Sequence, residues 1–434
     1  MRGIRSFVGL LVVALGLGAY LYFVESKREP GDGKKNEKVF AGVESDKIER
    51  VTVKSEKGET ATVEKKSGTW HLTQPVAADA DPGELSGITT NLSTLEVQRV
   101  VDEQATDFKQ YGLDPPRVEV AFKAGDRERR LLMGQKTPSG TDLYAKLPDK
   151  PRVFLISSYL DTTFNRTPFD LRDKSVLKVE RDKIDTVEIT TPERSIRIAK
   201  AGGDWRIKAP VDARADSNAV EGVVGRINTA QMKAIASADA GDLTSYGLDK
   251  PAIAIHIGSG SSQAGLLIGK TAADGTYYAK DLSRPMVFTL ESSLVDELKK
   301  PADEYRVKDI FDARAFNTTR VEADRAGQTV AFEKAGDKWK QVAPAAKDAD
   351  AARVDGLLTA LTGTRATGFV EKTTALDKPE LAVTLKYDEG KKSERVAFGR
   401  QGTDAFARRD GDAGAAKIDV ATLDSVLKSL DALK

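Results

Sequence analysis

The chain has 434 residues, too many for one ordinary core and suited to two to four domains. Its 67 basic residues balance 66 acidic ones, so no strong overall field exists to draw in nucleic acid or an acidic partner. Cysteine is absent and histidine occurs only at His71 and His256, which excludes disulfides, thiolate chemistry and cysteine-ligated metal centres and leaves histidine metal sites and triads without material.

Residues 1–6 read as a short cytoplasmic tail, and residues 7–24, FVGLLVVALGLGAYLYFV, as a transmembrane helix in contact with the lipid bilayer. An uncharged run of this length approaches the roughly 20 residues that cross a bilayer core. A cleaved signal peptide is the rival reading. The run exceeds the usual apolar region of about 7 to 15 residues, and it ends on the bulky Tyr20, Tyr22 and Phe23. Charge argues both ways on orientation: Arg2 and Arg5 favour a cytoplasmic N-terminus, whereas Lys27, Arg28, Lys34, Lys35 and Lys38 put more positive charge on the far side. The signal-anchor layout places the bulk outside the cytoplasm, because long domains translocate largely regardless of charge. Residues 25–38 form a polar linker with Pro30, Gly31 and Gly33.

The remainder is one unit written three times, over residues 39–175, 176–309 and 310–434, the last copy the most divergent. Trp70, Trp205 and Trp339 are the only tryptophans; each is followed five positions later by proline (Pro75, Pro210, Pro344) and eleven positions later by aspartate (Asp81, Asp216, Asp350). Within the first copy, ERVTVKS, TATVEKK and TWHLTQP alternate apolar and polar residues around turn signals, which predicts an antiparallel meander. Asp81 then reads as an N-cap with Pro82 at the first helical position, followed by the stripe Leu85, Ile88, Leu92, Leu95. Asp216 and Asp350 lead equivalent stripes. Later strand-like runs and a short last helix complete a unit of ~130 residues, enough for its own core. The fold class is therefore α+β: three tandem, antiparallel-sheet-dominated domains behind an N-terminal transmembrane helix. The joints hold no Gly/Ser-rich spacer, so an elongated stack is expected.

Two stretches have the look of chemistry. QYGLDPP and SYGLDKP place Tyr111–Gly112 and Tyr246–Gly247 in one order, which fits a helical turn closed by a left-handed glycine and halted by proline. Asp107 and Asp242 fit its N-caps. Ala375 stands at the glycine's place in the third copy, where a left-handed conformation costs roughly 1 to 2 kcal/mol, so that copy is expected to end the turn differently or to lack it. GLLIGKT resembles a phosphate loop but is one residue short, runs from strand to turn to strand, and is lost in LLMGQKT and VAFGRQG. No nucleotide site is expected there. Tyr144, Tyr278 and Phe406 share a position, and the phenylalanine rules out a phenol essential to all three copies. The tryptophans read as one apolar anchor per domain. No catalytic residues, metal ligands or cofactor are expected.

The anchor, YGLDPP or YGLDKP, LLIGKT with YYAK, and the inter-domain LRDK together resemble the bacterial family named domain of unknown function 4340, most strongly from Lys47 to Phe311. That resemblance implies a single-pass, extracytoplasmic (periplasmic) protein of the bacterial cytoplasmic membrane, often encoded beside an ABC-2-type transporter. The family has no established catalytic residues to carry over. The expected function is a non-enzymatic scaffold or accessory subunit binding a membrane transporter or envelope protein. The alternative is a ligand-binding module that holds a glycan, lipid or peptide in an inter-domain groove, for which Arg172, Lys174, Arg306 and Lys308 are the candidate surface.

Overall fold

The computed structural model describes residues 37–239 and 241–433, so the expected transmembrane helix at 7–24 lies outside the described residues. Among the described residues no helix is long and apolar enough to cross a membrane. The chain up to Lys174 forms one compact unit and Ser175–Lys434 forms a second, which contains two of the three repeats.

Each repeat builds one nine-stranded antiparallel sheet with few helices. In the first, β1 (Ile48–Lys54), β2 (Thr60–Lys66) and β3 (Thr69–Gln74) form the expected meander, extended by the two-residue β4 (Ala78–Asp79). After helix α1 (Pro82–Thr94) and β5 (Arg99–Asp102) come β6 (Val118–Ala124), β7 (Arg127–Lys136), β8 (Asp142–Lys146) and β9 (Val153–Ser157). Two short helices, α2 (Leu160–Phe164) and α3 (Pro168–Leu171), end the repeat. The strand order is β4-β3-β2-β1-β6-β7-β8-β9-β5, so β1 and β6 join two meanders, with Val51 opposite Phe122 and Val53 opposite Val120. The other two repeats have the same order.

The period-2 pattern sends Val51, Val53, Val63 and Leu72 to one face, where they meet Leu85, Ile88 and Leu92 of α1, all fully buried. Burial of side chains of this size stabilises by about 1.5–3 kcal/mol each. Trp70, Trp205 and Trp339 are buried in the same way. The indole N–H of Trp205 donates to Glu221 at 3.0 Å and that of Trp339 to Asp355 at 3.1 Å, each reaching the helix packed above it.

All three repeated aspartates cap their helices. Asp81 accepts from the N–H groups of Gly83 (2.8 Å) and Glu84 (3.2 Å), Asp216 from Asn218 (2.9 Å) and Ala219 (3.3 Å), and Asp350 from Ala352 (3.0 Å) and Arg353 (3.3 Å). Such a cap contributes about 1 kcal/mol.

Beyond its last helix, the chain of the first repeat returns to its own sheet. Asp81 N–H donates to the Leu171 carbonyl at 2.9 Å and Asp173 N–H to the Asp79 carbonyl at 2.8 Å. In the second repeat, Asp216 N–H donates to Tyr305 at 2.8 Å and Val307 N–H to Arg214 at 3.1 Å. Each outgoing segment thereby covers a sheet edge whose backbone groups would otherwise need other partners.

Candidate functional site

The tyrosine-glycine stretch is a short 3-10 turn, Lys109–Tyr111 in the first repeat and Thr244–Tyr246 in the second. Asp107 accepts from Lys109 N–H and Asp242 from Thr244 N–H, each at 2.9 Å. Gly112 and Gly247 both sit at φ 67°. Gly112 N–H bonds to Lys109 and Leu113 N–H to Phe108, with the same pair repeated at Gly247 and Leu248, which is a Schellman closure. The turn lies on the sheet face opposite the helices, where Tyr111 and Tyr144 rings lie 5.0 Å apart and Tyr246 and Tyr278 rings 5.1 Å apart. In the first repeat, Tyr111 and Tyr144 form a small second core with Ala105, Phe108, Leu113, Leu132 and Val153.

The same turn explains the glycine of the phosphate-loop look-alike. A Cβ on Gly269 would stand 2.2 Å from the Tyr246 carbonyl oxygen, and one on Gly134 would stand 2.1 Å from that of Tyr111. Gly269 lies within a strand, Ser262–Thr271, and no helix follows it. In the third repeat no 3-10 turn forms at this place, and Ala375 is not among the residues with positive φ. Even so, a Cβ on Gly399 would stand 2.0 Å from the Ala375 carbonyl oxygen. Phe406, 6% exposed, packs there with Ala375 and Leu376.

Of the four basic residues at the joints, Arg172 is buried and forms a β-bridge with Ala80, so it is not an exposed surface group. Lys174 Nζ donates to the Asp170 carbonyl at 3.1 Å. Lys308 pairs with Glu304 at 3.1 Å. Arg306 lines a cavity, and it gathers other groups there.

That cavity lies where the second repeat meets the third. Ala215 bridges Arg306 and Asp309 bridges Arg365, while Ala366 N–H donates to the Lys308 carbonyl at 2.7 Å, so the connecting segment pairs with both repeats. The cavity has a volume of about 30 Å³; Arg214, Arg306, Phe369, Arg409 and Asp412 are among the residues that line it. Arg214 pairs with Asp312 at 2.5 Å and reaches Asp412 at 3.5 Å. Asp312 also accepts from Arg409, which contacts Glu394 at 3.3 Å. Glu394 is buried and accepts the N–H groups of Asp312 (3.1 Å) and Ala313 (2.7 Å). Burial pushes the Asp312 carboxyl up, but the Arg409 and Arg214 guanidiniums outweigh it and hold the group below its ordinary value.

Sequence reasoning named Arg306 but missed Arg214, Phe369, Arg409 and Asp412. Their counterparts differ between copies: Arg214 stands where Asp79 and Asp348 stand, so the repeat pattern carries no signal for it. Among the described residues no group of three or more His, Asp or Glu side chains is placed to hold a metal ion.

The profile of the family described as Domain of unknown function (DUF4340) matches residues 70–204 and again residues 205–379. The two matches begin at Trp70 and Trp205, in the register of the repeat. No curated protein matches the chain. Among solved structures, a DNA polymerase sliding clamp from Pseudomonas aeruginosa, crystallised with ligand, aligns over 88% of this chain and 92% of its own, at 10% identity and a TM-score of 0.18. A likeness that low bears on neither fold nor function.

Proposed function

Because the chain belongs to the family of the domain of unknown function DUF4340, we propose that it is a non-enzymatic scaffold or accessory subunit, anchored in the bacterial cytoplasmic membrane by residues 7–24 with its repeats outside the cytoplasm. Its partner in this reading is an ABC-2-type transporter complex. One observation favours a docking role. Phe316 is 83% exposed on a surface turn of the third repeat, where the matching turns of the first two repeats carry Asp46 and Asp182. An aromatic side chain exposed at a position that accepts aspartate elsewhere in the chain is available to anchor a protein contact.

The test is crosslinking of the full chain in its native membrane, with identification of the captured protein. A transporter or envelope component is expected, and Phe316→Asp, which installs the residue of the sister turns, is expected to reduce its recovery several-fold with folding intact. Equal recovery by wild type and variant removes Phe316 from the interface; no capture above background removes the scaffold reading.

The alternative reading is a ligand-binding module that holds a glycan, lipid or peptide in an inter-domain groove; the cavity at Arg306, at about 30 Å³, is itself too small for such a body.

A further inference from the structure

We propose that the cavity between the second and third repeats binds one compact oxyanion, a phosphate or carboxylate group. This does not rest on the scaffold reading.

The cavity wall is cationic. It carries Arg214, Arg306, Arg408 and Arg409 against Asp309 and Asp412. Asp309 is already committed to Arg314 at 2.7 Å and Arg365 at 3.2 Å, and Asp412 reaches Arg214 only at 3.5 Å. Behind the wall, Asp312 and Glu394 serve Arg409, with Asp312 also holding Arg214.

Arg306 is the group left short. Its guanidinium lies over the Phe369 ring, 3.7 Å from the centroid, which covers one face but occupies none of its in-plane donors. Its acceptors are the Ala413 carbonyl at 3.5 Å and Asp303 at 3.7 Å, both too long for strong hydrogen bonds. The side chain is only 12% exposed, which leaves little of it to water. Nearby, Arg214 Nε is buried with no hydrogen-bond partner among the described residues.

Buried cationic donors held only by long contacts are costly, and charge-assisted bonds to an oxyanion remove that cost. Were the arginines here only mutual glue, Arg306 would meet a carboxylate as closely as Arg214 meets Asp312. Burial, reinforced by the charge of Arg214, pulls the Arg306 guanidinium below its ordinary value despite Asp303 and Asp412, consistent with a missing counter-charge. A volume of about 30 Å³ holds roughly two waters, the space of one phosphate or carboxylate group and not of a larger body.

The test is calorimetric titration of the full chain with inorganic phosphate and, in parallel, with acetate, at ionic strength fixed by sodium chloride. Saturable binding to one site is expected; tighter phosphate assigns a tetrahedral ion and tighter acetate a carboxylate. A third titration with glycerol 3-phosphate separates a free ion from an esterified group: equal binding assigns the ester, weaker binding the free ion. Arg306→Gln is expected to weaken binding at least tenfold, whereas Lys308→Gln, on the same segment but paired outside the cavity, leaves it unchanged. Phe369→Leu, which keeps the guanidinium but removes its platform, is expected to weaken binding and serves if Arg306→Gln does not fold. No binding of any of these anions by the wild type, or equal binding by wild type and a folded Arg306→Gln, overturns the proposal. Capture of a protein partner is indifferent to all of these outcomes.

Discussion

In the first two repeats a 3-10 turn crosses the outer face of the sheet and is closed by Gly112 or Gly247 at φ 67°, with a tyrosine ring packed beneath it at an angle. The third repeat has Ala375 at that place, no 3-10 turn and Phe406 beneath, yet its backbone presses just as closely on the strand glycine Gly399. The comparison separates two constraints that look like one motif in the sequence. The left-handed glycine belongs to one way of closing the turn and was replaced together with it. The strand glycine belongs to the approach of backbone to sheet and is present in all three copies.

The largest effect tests the second constraint. Valine at Gly134, Gly269 or Gly399 is expected to destabilise by about 3 kcal/mol or more in each case, because the new Cβ meets a backbone oxygen that cannot rotate away. Urea denaturation measures it; a harmless Gly399→Val beside a damaging Gly134→Val would break the comparison.

A smaller effect tests the first. Gly247→Ala is expected to cost about 1 to 2 kcal/mol for the left-handed conformation. Ala375→Gly is expected to cost about 0.4–1 kcal/mol by loosening the unfolded chain. Stabilisation by Ala375→Gly in the same denaturation experiment would mean that the third copy is a strained version of the turn and not a different one.

The smallest effect contrasts shared residues with unshared ones. Asp312 stands where the second repeat has Lys178, and its folded value lies below the ordinary carboxylate range, burial being outweighed by Arg409 and Arg214. Its stabilising contribution is present above the unfolded value of about 3.9 and is lost as the pH falls through the lower folded value. Hydrogen-exchange protection of the Val307 and Ala366 amides is therefore expected to fall below about pH 4. Unchanged protection between pH 5 and pH 3 would remove the Asp312 pairs from the account of this joint.

Much of the fold was legible because repetition separates signal from noise. The tryptophan anchors, aspartate caps and first meander recur in register, and each has one local physical job. The pairing of β1 with β6 was not legible, since it joins segments far apart in sequence and no local pattern names its partner. Strands as short as β4 show no period. The cavity escaped because Arg214, Phe369 and Asp412 are particular to one joint, and a reading built on resemblance between copies passes over what only one copy has.

The bonds from Asp173 to Asp79 and from Val307 to Arg214 have a consequence for the order of synthesis. The edge laid down early in each of these repeats is completed only by residues made last, after the final helix. A nascent repeat thus keeps an open β-edge until its connector has been translated, and a fragment meant to isolate the first repeat has to run through Asp173. Cut at Phe164 it would keep all nine strands and the eight ladders between them and leave the edge strand, Ala78–Asp79, exposed to the next chain that passes.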